Sequence, residues 1–266
     1  MIEVIKQLNN IGINIVLLLL PLSVNALELN VEFSADAIQV SPGHPRLISK
    51  MYVSKQAVRT DMTRNGQRII NIVYPEKGKR VVLYPDQKIY EEQTGIPALK
   101  SWSGKLAKTP CEGRRNVKCK KLATEILNKF KVEKWQMEQD INGKKYRSLH
   151  WIDSKRRIAM KELFYDGGVT ELIMLGQDRV NGRKVERWEY RYANPAGQQR
   201  VSRQWYDTQL KMVTREAMPG GFLRELKNIK VGKQKNNLFN IPKGYKKLKN
   251  TSVNTQVNKS ARKSGR

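Results

Sequence analysis

The sequence predicts a mainly β protein. Its strands are expected to form one curved, antiparallel up-and-down sheet (a half-barrel), with one or two short helices in the mid-chain connection. Three observations lead to this fold class. Short runs of β-branched and aromatic residues recur along the chain between tight-turn signals. A unit of about four such runs occurs twice. Helical periodicity is sparse.

The first 26 residues are expected to be a signal peptide. The apolar run at 11–22 is short, Asn14 interrupts it, and Ser23-Val-Asn-Ala26 follows. This pattern is typical of cleavage after Ala26, whereas an uncleaved membrane anchor, the alternative, needs about 20 apolar residues. Leu27 would begin the mature chain, so no cysteine is placed there to carry a lipid anchor.

The first half of the mature chain predicts a series of strands joined by short turns. Asn65-Gly66 and Pro85-Asp86 are two of the turn signals. The run 67–74 is almost continuously apolar and is expected at the centre of the sheet. The predicted strands are 29–40, 46–54, 57–63, 67–74, 79–84 and 87–92.

The segment 94–119 separates the two sets of strands. It is rich in Gly, Pro and Lys, and residues 98–106 show the pattern of a short helix. It also holds the two cysteines of the chain, Cys111 and Cys119, with no histidine or third cysteine near them. In an exported protein this arrangement predicts a disulfide and not a metal site.

The second half of the chain is a duplicated unit. The stretch Val132-Glu-Lys-Trp-Gln-Met137 returns as Val185-Glu-Arg-Trp-Glu-Tyr190, and the copies span 129–175 and 182–231. Hairpin signals such as Asn142-Gly143 predict a meander, which brings the total to 13 or 14 short strands. With one residue inserted near Pro195, the copies align at Trp151 and Trp205, Asp153 and Asp207, Glu162 and Glu216, and Gly167 and Gly221.

Aromatic residues of the repeat are the candidate ligand-binding positions. Tight hairpins are expected to bring Trp135 close to Trp151, and the equivalent pair together in the second copy, on an apolar concave face. Two interpretations stay open: these side chains fill the protein core, or they line a cavity for an apolar ligand. The candidates are Trp135, Met137, Trp151, Trp188, Tyr190 and Trp205.

The chain is strongly basic, with a formal net charge of +27. Such a charge attracts anionic partners, including an anionic membrane or a lipopolysaccharide surface. Nucleic acid is not expected, because the chain shows no nucleic-acid-binding motif and is predicted to be exported. Residues 249–266 contain no acidic residue and little to bury, so they predict a basic disordered tail. A host whose proteins are generally basic would also explain the charge.

No catalytic constellation is recognisable in the sequence. His44 lies in a Pro-Gly-His-Pro turn and His150 lies beside Trp151, far from each other in the chain. Asp153 and Asp207 precede turns, where capping is the expected role. Gly-x-Ser-x-Gly and His-Glu-x-x-His motifs do not occur. The sequence therefore predicts no enzymatic activity, no cofactor and no metal.

Several segments follow the order of a known family. They include Phe33-Ser-Ala-Asp36, Lys50-Met-Tyr-Val53, Arg59-Thr-Asp-Met62, Gly182-Arg-Lys-Val-Glu-Arg-Trp188 and Leu238-Phe-Asn-Ile-Pro242. Through them, residues 30–246 resemble the LolA-like superfamily of exported bacterial proteins. The resemblance implies a periplasmic location and a curved half-barrel whose apolar cavity holds acyl chains. No functional residue of the family's carriers maps onto this chain.

The sequence thus leads to one main hypothesis. A domain at 27–248 is expected to act as a periplasmic, non-enzymatic carrier or binding protein for a lipid, an acyl chain or a lipidated protein, with a basic surface that meets anionic headgroups. The alternative is a basic envelope-associated scaffold that binds anionic polymers or a membrane surface and has no ligand cavity.

Overall fold

The described chain is almost entirely β-strand. The computed structural model describes residues 31–96, 109–111 and 116–248. These ranges contain strands and two short 3-10 segments, at Pro219–Gly221 and Asn236–Phe239, and no α-helix. The mainly β prediction is confirmed, whereas the described ranges contain no counterpart of the one or two short helices predicted for the mid-chain connection. Its residues 98–106 lie outside the described ranges, as do the predicted signal peptide and the tail.

Six strands form a first antiparallel meander. The β-branched and aromatic runs of the sequence become its strands, and Asn65-Gly66 takes the left-handed backbone that a two-residue hairpin turn requires, with φ of 50° and 76°. The strands are β1 (Phe33–Val40), β2 (Leu47–Val53), β3 (Val58–Arg64), β4 (Gln67–Tyr74), β5 (Lys79–Tyr84) and β6 (Ile89–Thr94).

Nine further strands form a second meander, and a two-residue strand follows. In the described residues this makes sixteen strands, two more than the largest number the sequence predicts, and the added ones are β7 and β16. The strands are β7 (Val117–Leu127), β8 (Phe130–Ile141), β9 (Lys144–Asp153), β10 (Ala159–Leu163), β11 (Val169–Val180), β12 (Arg183–Ala193), β13 (Gln199–Asp207), β14 (Met212–Met218), β15 (Phe222–Val231) and β16 (Lys246–Lys247).

The two meanders join through their outermost strands. β1 pairs with β2 on one side and with β15 on the other, from Phe33 opposite Val231 to Val40 opposite Leu223. One open sheet results, antiparallel except where β16 lies parallel to β6. Its strand order is β16-β6-β5-β4-β3-β2-β1-β15-β14-β13-β12-β11-β10-β9-β8-β7.

A hydrophobic cluster lies at the junction between the meanders. Phe33 and Val53 from β1 and β2 pack with Leu210 from the turn before β14 and with Leu226 from β15. All four side chains are fully buried. Burial of a large aliphatic or aromatic side chain contributes about 1.5–3 kcal/mol, so this cluster stabilises the strand pairing that joins the two meanders.

A second cluster lies where the chain after β15 returns to the first meander. Phe239 packs against Ile72 and Leu83. Arg59 Nη1 donates to the carbonyl of Leu238 at 2.6 Å, and the Tyr74 hydroxyl donates to the carbonyl of Phe239. This segment therefore covers the apolar side of β4 and β5.

The duplication is visible in the backbone of the second meander. Asn128 and Asn181 both have φ of 50° in equivalent hairpin turns, and the next residues, Lys129 and Gly182, have φ of 70° and 78°. Strand bulges repeat too: register shifts fall at equivalent places in β7 and β11, and in β10 and β14. The predicted repeat is thus a repeat of backbone geometry as well as of sequence.

Candidate functional site

Trp135 and Trp188 hold equivalent places in the two copies. Trp135 Nε1 donates to Glu133 Oε2, and Trp188 Nε1 donates to Glu186 Oε2, each at 3.2 Å. Both indoles are buried, with exposed fractions of 8% and 2%. In each copy a carboxylate two residues earlier on the same strand satisfies the one donor of the indole, which makes burial of the ring favourable.

Trp151 and Trp205 are also equivalent, and their surroundings are charged. Trp151 Nε1 donates to Glu125 at 3.1 Å and Trp205 Nε1 to Asp178 at 3.0 Å. A cation lies over each ring: Lys134 Nζ is 4.9 Å from the centre of Trp151, and the guanidinium of Arg215 is 4.8 Å from that of Trp205. Such contacts favour a polar surface and not an acyl-chain site.

The strand register places the two tryptophans of each copy on opposite sides of the sheet. Residues directly opposite each other in an antiparallel pair share a side. Trp135 is opposite His150, whereas Trp151 is opposite Lys134. Likewise Trp188 is opposite Gln204 and Trp205 is opposite Arg187. The prediction that Trp135 and Trp151 share a face is therefore wrong. Trp151 also packs at the border of a buried cluster formed by Val132, Met160 and Trp188. Near this cluster, a bulge in β10 interrupts the alternation of side chains between the two sides of the sheet.

We call the side that carries Trp135 and Trp188 face A. Met137 and Tyr190 also lie on it, because they follow those tryptophans by two positions. Two residues of the neighbouring strand β11 also lie on face A, because Leu172 is directly opposite Tyr190 and Met174 is directly opposite Trp188. Leu172, Met174 and Tyr190 are half-buried. We call Leu172, Met174, Trp188 and Tyr190 the central apolar patch.

A row of polar side chains borders the patch on the side of β10. Ser148 Oγ lies 2.7 Å from His150 Nε2, and His150 Nδ1 lies 2.9 Å from Glu162 Oε1. The hydroxyl of Thr170 donates to the other oxygen of Glu162 at 3.0 Å. The residues belong to β9, β10 and β11, so the row ties three strands together.

The spacing of Ser148, His150 and Glu162 resembles that of a nucleophile, a base and an acid in hydrolases. The second copy has Ser202, Gln204 and Glu216 at the equivalent positions, and Gln204 Nε2 donates to Glu216 Oε1 at 2.9 Å. A glutamine cannot serve as a general base. The property that both copies share is therefore a hydrogen-bonded polar row on face A, and not a proton relay.

Tyr190 lies between the two polar rows. Burial raises the pKa of its phenol, and the carboxylates of Glu162 and Glu216 raise this pKa further. Glu162 belongs to the row of the first copy and Glu216 to the row of the second, so both rows contribute to the raised pKa of the phenol. The central apolar patch is thus an apolar strip with an acidic, hydrogen-bonding border on each side.

Sequence reasoning missed Leu172 and Met174, although a signal for them was present. Asn142-Gly143 is a two-residue turn, and it sets Ile141 opposite Lys144. Counting back along both strands places Trp135 opposite His150 and separates it from Trp151. The same count would have identified face A and, through β11, its aliphatic residues.

Cys111 and Cys119 form the predicted disulfide, which ties β7 to the segment before it. No group of three or more His, Cys, Asp or Glu side chains in the described ranges could hold a metal ion. Among the same residues, no helix has the length and apolar character needed to cross a membrane.

Comparison with known proteins finds similarity at the level of solved structures. No family model and no curated protein matches the chain. A LolA superfamily protein from Nitrosomonas europaea matches with 12% identity and a TM-score of 0.36, over 81% of this chain and 93% of that chain. A domain described as an outer membrane lipoprotein-sorting protein, from Vibrio parahaemolyticus, matches with 10% identity and a TM-score of 0.34, over 79% of this chain and 89% of that chain.

A DUF1329 family protein from Desulfovibrio piger is also similar, with 11% identity and a TM-score of 0.31, over 79% of this chain and 89% of that chain. The superfamily that the sequence resembles is thus among the similar structures. At these TM-scores the likeness supplies no argument about function, which has to come from the residues of this chain.

Proposed function

We propose that this chain is an exported, non-enzymatic binding protein that holds the acyl chain of a lipid or a lipidated protein on face A. The central apolar patch is the observation that carries the proposal. Its four side chains come from the directly paired strands β11 and β12, and three of them keep part of their surface exposed. An apolar strip of this kind gains free energy when an acyl chain covers it.

The polar rows suit the other end of such a ligand. An acyl chain that lies along Leu172 and Met174 would leave its ester or amide groups within reach of the hydroxyl and amide side chains beside the patch. The amide nitrogen of Gln204 carries two hydrogens, and because only one of them is donated to Glu216, the other can be donated to a carbonyl oxygen. Apolar lining with a few placed polar groups is typical of lipid and small-molecule sites.

Two further observations support an exported protein. The Cys111–Cys119 disulfide fits an oxidising compartment, because thiols are kept reduced in the cytosol. The N-terminal sequence has the features of a signal peptide. In a bacterium with two membranes, the proposed compartment is the periplasm.

Native mass spectrometry of the mature protein, isolated from the cell envelope without detergent, tests the proposal. We expect a bound species with the mass of an acyl lipid that mild organic extraction removes. The double variant Leu172→Gln with Met174→Gln should lose it, because two amides replace the apolar floor of the strip.

Ile173→Gln is the matched control. Ile173 lies between the two substituted residues on β11, is half-buried like them, and faces the other side of the sheet, opposite Glu189. The control should keep the bound lipid. A folded double variant that retains the lipid, or a control that loses it equally, would contradict binding at the central apolar patch.

A further inference from the structure

We infer that one end of the second meander docks on an anionic lipid membrane. The inference rests on the proposed function for its partner, because a protein that carries acyl chains collects or delivers them at a bilayer. In an antiparallel meander, alternate hairpin turns lie at the same end of the sheet. The turns after β7, β9, β11 and β13 therefore share one end with the end of β15. A hydrogen bond from Ser154 N–H to the carbonyl of Lys131, at 3.0 Å, joins the turn after β9 to the start of β8.

Exposed lysines mark this end. The turns after β7, β9 and β13 each carry one, Lys184 follows the turn after β11 by two residues, and Lys230 lies at the end of β15. Neighbouring turns at one end are two strands apart, about 10 Å, so the charges form an extended row that fits a surface better than a single small anion. We call this row the basic rim: Lys129, Lys131, Lys155, Lys184, Lys211 and Lys230, all exposed.

Acidic side chains at the same end are turned inward. Asp153 and Asp207 have exposed fractions of 3% and 1%, and each accepts two backbone N–H groups of its turn. Glu186 is buried against Arg156 and Trp188. The half-exposed Glu125 and Asp178 accept the indole N–H groups of the outer tryptophans. The fully exposed charged side chains that the structure describes at this end of the second meander are therefore basic.

The opposite end of the sheet has mixed charge. Its turns expose Asp86, Asp140 and Asp166 as well as basic residues. A strand of ten residues is about 33 Å long, whereas the Debye length at physiological ionic strength is about 8 Å. An anionic surface that contacts one end is thus screened from charges at the other. The two ends of the second meander are distinct surfaces, and only at the rim end are all the described, fully exposed charged side chains basic. In the first meander, the turn after β4 exposes Glu76 beside Lys77 at that end.

Two apolar side chains project beside the rim and favour a bilayer over a soluble polyanion. Ile126 is 73% exposed near Lys129, and Val231 is 46% exposed next to Lys230. Apolar side chains among lysines suit the membrane interface, where the apolar groups enter the acyl boundary and the cations stay at the headgroups. A soluble polyanion offers nothing for Ile126 to enter.

Vesicle binding by the full mature chain tests the inference. Vesicles of phosphatidylcholine with and without phosphatidylglycerol are the probes, and co-sedimentation at physiological salt is the readout. We expect binding only to the vesicles that contain phosphatidylglycerol. The rim variant, with Lys129, Lys131, Lys155 and Lys184 each changed to Glu, should bind at least about a hundredfold more weakly.

A far-end variant makes the test specific. Arg46, Lys88, Lys144 and Arg200 are exposed at the opposite end, and changing all four to Glu alters net charge by the same amount. This variant should bind within about threefold of the parent chain, because its changes lie several Debye lengths from the docked surface. An equal loss in both variants would overturn the inference, since total charge would then be the cause.

Heparin distinguishes a bilayer from a soluble polyanion. Ile126→Ser should weaken vesicle binding and leave heparin binding unchanged. Rim-dependent heparin binding without vesicle binding would overturn the membrane assignment, and so would an Ile126→Ser variant with unaltered vesicle binding. If the fourfold rim variant does not fold, Lys155→Gln with Lys184→Gln replaces it, with Lys88→Gln and Lys144→Gln as its control.

Fatty-acid binding in the absence of vesicles separates this inference from the proposed function. The rim variant should keep fatty-acid binding and lose vesicle binding. If no form of the protein binds fatty acid but vesicle binding depends on the rim, the docking surface stands and the proposed function fails. If fatty acid binds and the vesicles do not, the proposed function stands and the docking surface fails.

Discussion

At the scale of single residues, buried acids organise the second meander. Asp153 and Asp207 each accept two turn N–H groups through one oxygen, in equivalent turns of the two copies. The glutamates before the buried tryptophans accept indole N–H groups in the same duplicated way. A buried carboxylate is tolerated only when hydrogen bonds or cations compensate its lost hydration. These side chains hold turns and indoles in place, and the sequence predicted that role for the two aspartates.

A buried phenol gives a pH dependence that can be measured. Burial, and next the nearby Glu91 carboxylate, raise the pKa of Tyr84 to about 12 from an ordinary value of 10.0. A raised pKa in the folded state means that folding holds the proton more tightly. The stabilisation is complete below pH 10 and is lost as the pH rises through 12. Urea unfolding of the parent chain should show this loss.

Tyr84→Phe is the comparison that isolates the phenol. The free energy of unfolding of the parent should fall between pH 10 and 12 by up to about 2 kcal/mol more than that of the variant, because the variant has no proton to lose. Lysines that titrate in the same range affect both proteins and cancel in the difference. Parallel pH profiles for the two proteins would contradict a raised pKa at Tyr84.

At the scale of elements, the sequence predicted most strands well and the register between them poorly. Val132–Met137 and its copy have the alternating, aromatic-rich pattern of half-buried strands, and they lie in β8 and β12. β7 escaped prediction because its residues 118–122 are mostly lysine and it lies at the edge of the sheet, where only one side is paired. The face of each tryptophan depends on register, and a shift of one residue reverses it.

Equivalent hairpin turns of the two copies allow an exchange experiment. Lys129 and Gly182 both have positive φ, where a side chain costs about 1 kcal/mol and glycine does not. Gly182→Lys should therefore lower the free energy of unfolding by about 1 kcal/mol. Lys129→Gly should raise it by less, because glycine also increases the entropy of the unfolded chain. Urea unfolding measures both.

A lysine-to-glycine change outside such a turn is the control for this exchange. Lys184 lies on β12, in extended backbone, so Lys184→Gly should be destabilising. If Lys129→Gly stabilises the protein and Lys184→Gly destabilises it, the change in the free energy of unfolding is due to backbone conformation. The same sign for both lysine substitutions would mean that the loss of charge dominates.

At the scale of the whole molecule, the order of strands was not predictable from local patterns. Hairpin signals join consecutive strands, but no local signal says that β1 lies beside β15. The pairing depends on the cluster of Phe33, Val53, Leu210 and Leu226, whose members are distant in sequence. Non-local burial of this kind is a property of the complete chain, and a reading of consecutive runs does not reveal it.

Truncation tests how far the two meanders depend on each other. A chain that ends at Met218 lacks β15, so β1 and β14 each lose one neighbouring strand. It also lacks Leu226 and Phe239, which belong to two hydrophobic clusters. We expect this chain to lose cooperative thermal unfolding, as followed by circular dichroism.

A chain that ends at Leu248 is the control. It keeps every described strand and should unfold within about 2 °C of the same chain extended to Arg266. Cooperative unfolding of the Met218 truncation at an unchanged temperature would contradict a structural dependence on β15.

The pairing of β1 with β15 also sets an order in time. A ribosome makes β1 among the first strands and β15 among the last, and a chain exported from its N-terminus crosses a membrane in the same order. Until β15 arrives, β1 exposes a row of unpaired backbone groups, which is the feature of a strand that invites wrong partners. Closing so large a loop is slow, so completion of the sheet is expected to be the last and slowest step of its assembly. β1 therefore remains unpaired on one edge until synthesis is almost complete. Protection of that edge from incorrect pairing is then part of the biogenesis of the protein.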